Sequence, residues 1–324
     1  MILAFAGCEE VFLDDDLANT PRGNFESMWQ TVRDKYSFFE FKNIDWNQVY
    51  TKYSARIHSD MSDQELFTVL DSMLFTLKDG HVNLVSPFDL SRNWQWFLNA
   101  PPNFNFDIVE RNYLGNDHRI AGGLRYTLLS DSIGYLYYGS FSSGFSSANL
   151  REMFAYLKDV KGIIVDVRDN GGGSLDAAFA LAQRFINAEK RVLISQEKTG
   201  PGSDDFGNTV NYTLAPPEAP HFEGPVMLLT NRKCFSATNT FVAILRNFSN
   251  VTQIGDRTGG GGGLPIDSEL PNGWRYRFSA TASFLPNGFN IEQGIAPEIR
   301  MDMDTTALLQ GKDNIIEEAI RQLQ

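Results

Sequence analysis

The sequence predicts an α/β core preceded by a small helical domain. Two observations carry this. Apolar residues recur at helical spacing in three successive stretches between residues 24 and 79. From about Ile133 the pattern changes, and short β-branched, apolar runs alternate with amphipathic helical ones.

The first helix starts near Asn24, with Phe25, Met28, Trp29, Val32 and Tyr36 on one face. Trp46, Val49, Tyr50, Tyr53 and Ile57 form a second stripe after Asp45. Ser62 and Glu65 make a capping box ahead of Leu66, Val69, Leu70, Met73 and Leu77. These stripes read as packing faces; the other reading is a scaffold that binds a partner through its aromatic helices. Residues 24–85 are assigned to an N-terminal helical domain and 86–324 to the core. Segment 86–132 is rich in Asn, Phe and Pro and has weak periodicity.

In the core, "IGYLYY" (133–138), "RVLISQ" (191–196), "VMLLT" (226–230) and "VTQIG" (251–255) read as strands. "GIIVDV" (162–167) is apolar on both faces and therefore central. "SLDAAFALAQRFINA" (174–188) is an amphipathic helix, and "YRFSATASF" (276–284) alternates as one half-exposed strand. Segment 199–222 reads as a hairpin or an exposed loop.

The bulk numbers narrow the function. Asp and Glu number 40 against 28 Lys and Arg, a net charge of −12 that disfavours a nucleic-acid partner. Two cysteines and four histidines, with no CxxC, CxxH or HExxH spacing, support neither a disulfide scaffold nor a metal centre. No cofactor is expected. The start "MILAFAGC" is short and apolar and ends in small-small-Cys, like the end of a bacterial lipoprotein signal, with Cys8 as the lipidated residue. Residues 1–23 then read as a signal remnant and an acidic tether. The chain would sit in the bacterial cell envelope, periplasmic or outer-surface, held to the membrane only through that lipid.

Four stretches can carry chemistry. In "VDVRDNGGGS" a buried strand runs into Asn170 and three glycines before a helix. Such a turn cradles a phosphate, forms half of an oxyanion hole, or is a tight strand–helix connection. Walker and GxGxxG patterns are absent. In "KCFSATN" Ser236 opens a helix after another core strand, as a cap or as a nucleophile whose neighbouring Ala237 N–H faces the same place as the glycine N–H groups. "LKDGHVNL" places His81 in a punctuated turn, a candidate base, and "NGFNIEQGIAPEI" offers Glu292 as the carboxylate that would orient an imidazole.

Together "LKDGHVNL", "IGYLYYGSF", "GIIVDVRDNGGGS", "NRKCFSATNTFVAIL", "IGDRTGGGG" and "IEQGIAPEI" resemble the tail-specific, or C-terminal processing, serine peptidases, in the family's order over roughly residues 24–300. One branch of that family uses a Ser–Lys dyad with the lysine in a Thr-x-Gly-Lys-Gly-like turn. The corresponding "DRTGGGGG" (256–263) has no lysine, and Lys233 sits in the turn before the serine. The chain is therefore similar to the tricorn-like branch, which uses Ser, His and Glu and places a second serine just before the histidine. Gly80 stands at that place here.

The resemblance implies a crotonase/ClpP-like spiral core and no room for a PDZ domain. It implies peptide or unfolded-protein substrates, cut through an acyl-enzyme. Ser236, His81 and Glu292 would be the catalytic group. Gly171 or Gly172, with Ala237, would supply the oxyanion donors, and Asn170 and Arg168 would hold the glycine turn. A direct contact, a water or another hydroxyl would link Glu292 to His81, and "DRTGGGGG" would be a flexible lip. A catalytically silent, peptide-binding envelope protein of the same fold is the alternative. A crotonase-like acyl-CoA enzyme is a third reading, disfavoured by the acidic charge.

Overall fold

The computed structural model describes residues 18–91, 99–129 and 132–324; Cys8 and most of the expected tether lie outside them. The chain forms two compact units. One takes the described part of Met1–Asn93 with Lys198–Asp205 and Pro265–Ala280; the other takes the described part of Trp94–Glu197 with Phe206–Leu264 and Thr281–Gln324.

The first unit is mainly helical. Pro21–Lys35 begins behind a Thr20 cap with Pro at its first turn, where a missing N–H costs nothing. Trp46–Ser54 is capped by Asp45, and Asp63–Phe75 carries the expected Ser62–Glu65 capping box. The stripes are core: Phe25, Met28, Val32, Tyr36, Leu70, Met73 and Leu77 are fully buried. Trp29 and Trp46 bond each other's carbonyls, Nε1 to O, at 3.1 and 3.0 Å, which leaves neither indole N–H unpaired. A three-stranded antiparallel sheet completes the unit, with Arg275–Ser279 between Asn83–Val85 and Pro265–Glu269.

The second unit is built on a seven-stranded mixed sheet. Its order is Ile299–Arg300, Val251–Gly255, Val226–Thr230, Gly162–Asp166, Ile133–Tyr138, Leu124–Leu129 and Arg119–Ala121. The first five run parallel, and the last two are joined on through antiparallel pairings. Period-two alternation divides the central side chains between two buried faces. Leu136, Ile163, Val165, Val226 and Leu228 join the helices Ser147–Tyr156, Leu175–Ala182 and Ala237–Leu245. Ile133, Tyr135, Ile164, Met227 and Leu229 join Ile315, Ile316 and Ala319 of the last helix. A smaller sheet of Thr281–Phe284, Lys190–Glu197 and Val210–Leu214 lies in the same unit; segment 199–222 contributes the single strand Val210–Leu214, which pairs antiparallel with Lys190–Glu197 before it.

One expected strand divides. "YRFSATASF" is two strands, Arg275–Ser279 and Thr281–Phe284, in different sheets. Phe278, Ser279 and Ala280 are buried in succession, so the in–out alternation breaks there and the chain changes partner. Segment 86–132, weak in pattern, contains a helical turn from Phe106 to Leu114 and the two antiparallel strands Arg119–Ala121 and Leu124–Leu129.

Candidate active site

Ser236, the glycine turn and Glu292 lie in the α/β unit; His81 lies in the helical unit. Gly162–Asp166 and Val226–Thr230 are adjacent parallel strands, so the turns that follow them leave the same edge of the sheet, where open α/β folds bind ligands.

Ser236 stands at the start of Ala237–Leu245 with φ 58° and ψ −123°, a backbone region that costs a non-glycine residue about 1–3 kcal/mol. Its side chain makes no capping bond to the helix. The cap reading therefore fails on both counts, since a serine cap has extended backbone and bonds a first-turn N–H. A strained strand-to-helix turn of this kind lifts a hydroxyl out of the chain path. The Ser236 N–H donates to Gly260 O at 3.0 Å.

Gly172 (φ 102°) lies against this turn. A Cβ there would stand 2.7 Å from Phe235 O and 2.8 Å from Ser236 Cβ. Its N–H donates to Asn170 Oδ1 at 3.0 Å. Among the described residues the N–H groups of Gly171 and Ala237 have no partner. They thus have donor capacity to spare in the two turns that Gly172 brings into close approach.

Asn170, fully buried, is the hub. Its Oδ1 also accepts from Thr238 Oγ1 at 2.7 Å and Phe141 N at 3.3 Å, and its Nδ2 donates to Tyr138 O at 2.8 Å. One amide so fixes the glycine turn, the segment after Ile133–Tyr138 and the Ser236 helix. Arg168 makes its bonds elsewhere. It pairs with Asp166 at 2.6 Å and Asp313 at 2.9 Å, and so ties the strand to the cap of the C-terminal helix rather than holding the glycines. Lys233 Nζ is 2.9 Å from Asp169 Oδ2, and Asn231 Nδ2 is 2.6 Å from Asp169 Oδ1, which staples the two turns together.

The run 259–263 is not a flexible lip. Gly260 to Gly263 are buried. Gly259 N–H donates to Cys234 O at 2.7 Å, and Gly262 N–H donates to Glu292 Oε2 at 2.8 Å. The run thus threads between the Ser236 turn and the Glu292 turn, and its lack of side chains is what lets it pass. Glu292 is 9% exposed in the short turn Ile291–Gln293. That turn is also tied to the Ser236 helix, because Asn239 Nδ2 donates to Ile291 O at 2.9 Å.

In the helical unit His81 is buried just before Asn83–Val85. Asp79 Oδ1 accepts its backbone N–H at 2.8 Å and lies 3.9 Å from its Nδ1. Ser279 Oγ, from a strand far along the chain, is 3.4 Å from the same Nδ1. Burial pushes the imidazole down to about 4; Asp79 opposes this, and Arg277 and Lys42 add to it. Burial would raise the Asp79 carboxyl, but Lys42, His81 and the Ser279 hydroxyl outweigh that and hold it below its ordinary value. Ser279 and Lys42 carry no sequence signal as neighbours of His81, because their proximity depends on strand pairing and on a chain turn.

No group of His, Cys, Asp and Glu among the described residues could hold a metal ion, and no helix among them is long and apolar enough to cross a membrane.

Residues 132–301 match the model of peptidase family S41, and residues 17–75 that of the tricorn protease C1 domain. A solved structure of a provisionally named peptidase from Parabacteroides merdae ATCC 43184 is 46% identical, covers 94% of this chain and 96% of that one, and superposes with a TM-score of 0.88. Mature CPAF shares the fold at 10% identity, with a TM-score of 0.71 over 94% of this chain and 97% of that one. The "Probable CtpA-like serine protease" of Staphylococcus haemolyticus (strain JCSC1435) is 28% identical over 148 residues, 45% of this chain and 28% of that protein. The match thus spans about a third or less of the length of these curated relatives.

Proposed function

The chain belongs to peptidase family S41, and from that premise we propose that it is a serine endopeptidase acting on peptides or unfolded protein through an acyl-enzyme. Ser236 Oγ attacks the scissile carbonyl, His81 takes its proton and returns it to the leaving amine, and Glu292 supports the charged imidazole. The N–H groups of Ala237 and Gly171 receive the oxyanion, with Gly172 giving the substrate room to approach. The observation that carries the reading is Ser236 itself: a strained residue at a helix start whose side chain does not cap the helix. Strain at such a position persists where the surroundings over-determine it, as they do here through Asn170 and Gly260.

Ser236→Ala is expected to lower hydrolysis of an unfolded protein substrate by about 10⁴-fold or more, with an unchanged circular dichroism spectrum. Wild-type activity in that variant overturns the reading.

The envelope location rests on "MILAFAGC". In a bacterial host the full chain is expected to partition into detergent and to incorporate palmitate, and Cys8→Ser to release it. An unlipidated wild-type chain would contradict this.

A further inference from the structure

We infer that Asp79 and Ser279 are positioning residues for His81, fixing its proton on Nδ1 so that Nε2 is the basic nitrogen, and that this is done within the helical unit alone. The inference deepens the peptidase reading and rests on it.

A general base must present a lone pair, and a neutral imidazole has two tautomers. The one with Nδ1–H is selected by an acceptor at Nδ1. Both polar side chains found there can accept: the Ser279 hydroxyl at 3.4 Å and the Asp79 carboxylate at 3.9 Å. They are not alternatives. A hydroxyl beside a carboxylate gives its proton to the anion and turns its lone pairs to the ring, so Asp79 orients Ser279 and Ser279 orients His81. Asp79 also grips the His81 backbone N–H at 2.8 Å, which fixes the residue as well as its ring.

The anion is itself maintained. Asp79 is buried, and Lys42 Nζ lies 3.9 Å from its Oδ2 while donating to Lys78 O at 2.9 Å. The aromatic rings of Phe38 and Tyr36 face the same ammonium at 5.3 and 5.9 Å. A buried carboxylate with a partly buried cation beside it stays ionised where an isolated one would protonate. The charged groups that act on His81 include Asp79 on its own turn, Lys42 after the first helix and Arg277 on the strand that carries Ser279. Asp79 is the single anion of the three, and it favours the imidazolium that forms when the proton arrives. The hydroxyl missing at Gly80 is thus supplied by Ser279 from the opposite strand.

The test is nitrogen-15 NMR of the full chain at pH 7, combined with the pH dependence of kcat/KM. Wild type is expected to show the Nδ1–H tautomer of His81, and Glu292→Gln to retain it. In Ser279→Ala the Nε2–H form should become appreciable, with kcat down about 10-fold and KM within about 2-fold. Asp79→Asn keeps an acceptor for the His81 N–H but loses the charge. It should cut kcat about 100-fold and move the acid limb of kcat/KM to lower pH. Ser279→Thr, which restores a hydroxyl, should recover most of the loss. Should Asp79→Asn fail to fold, the Ser279 pair decides. Retention of the Nδ1–H tautomer in Ser279→Ala, or its loss in Glu292→Gln, overturns the inference. The tautomer is read without turnover, so a wild-type chain that hydrolyses nothing refutes the peptidase reading and with it the role as base, whereas a wrong tautomer refutes the positioning alone.

Discussion

The surroundings of Ser236 in one unit and of His81 in the other are made from different materials. Around Ser236 the structure works with backbone: positive-φ residues, glycines without room for a Cβ, and N–H groups without a partner among the described residues. Around His81 it works with side chains: a carboxylate, a hydroxyl and two cations converge on one buried ring. In the proposed mechanism the first arrangement would receive charge that appears on a substrate, which is outside the protein until it binds. The second sets the protonation of a group that is always present. Backbone donors cannot titrate and hold their places through the fold; side chains can be tuned against one another, which a base requires.

This contrast can be broken at its backbone end most severely. Gly172→Ala introduces a Cβ 2.7 Å from Phe235 O at φ 102° and so displaces the Ser236 turn itself. It should lower kcat/KM by about 100-fold or more. A thermal melt run alongside separates this from unfolding, and a fully active, stable Gly172→Ala would show that the close approach is not needed.

At the side-chain end the pH profile is the sharper tool. With His81 pushed down to about 4, the imidazole is neutral and able to accept a proton at every pH above that. The acid limb of kcat/KM should fall near pH 4, and a midpoint near the ordinary histidine value of about 6.5 would contradict the buried setting. The sign for stability follows. Between about 4 and 6.5 the unfolded chain binds the proton that the folded chain refuses. Folding stability should therefore rise with pH across that window, and His81→Gln should flatten the rise.

The smallest expected effect concerns Lys233, the cation nearest Ser236 in sequence. Its half-exposed ammonium is held by Asp169 at 2.9 Å. Lys233→Met should change kcat/KM by less than about 10-fold, as loss of a surface pair would. Abolished activity with intact fold would reinstate a lysine base and dissolve the comparison.

The two surroundings also differed in how readable they were. Those of Ser236 are written in contiguous motifs, because a strand, a turn and a helix start are consecutive in the chain. "DNGGG" and "FSATN" each carry their own geometry, and their meeting follows from adjacent parallel strands. Of the His81 surroundings, only "DGH" is local. Ser279 comes from within "YRFSATASF", where the alternation ran on smoothly through the point at which the chain changes sheets. Lys42 lies in a connector without periodicity. The core strands stood out for the same reason as the Ser236 turn: runs such as "VMLLT" bury both faces and need no distant partner to be recognised. Arg168 went the other way, since its partner Asp313 is 145 residues distant and nothing in "VRDN" points to it.

The packed glycine run constrains how such an enzyme could change. A Cβ at Gly260 would stand 2.1 Å from Glu292 O, at Gly261 2.6 Å from the Phe235 ring, and at Gly262 2.5 Å from Ile291 Cγ1. A side chain at Gly260 or Gly262 would displace the turn that carries Glu292, and one at Gly261 would displace the Phe235 ring next to Ser236. A lysine base placed on this run would therefore require the packing around Ser236 or Glu292 to shift with it.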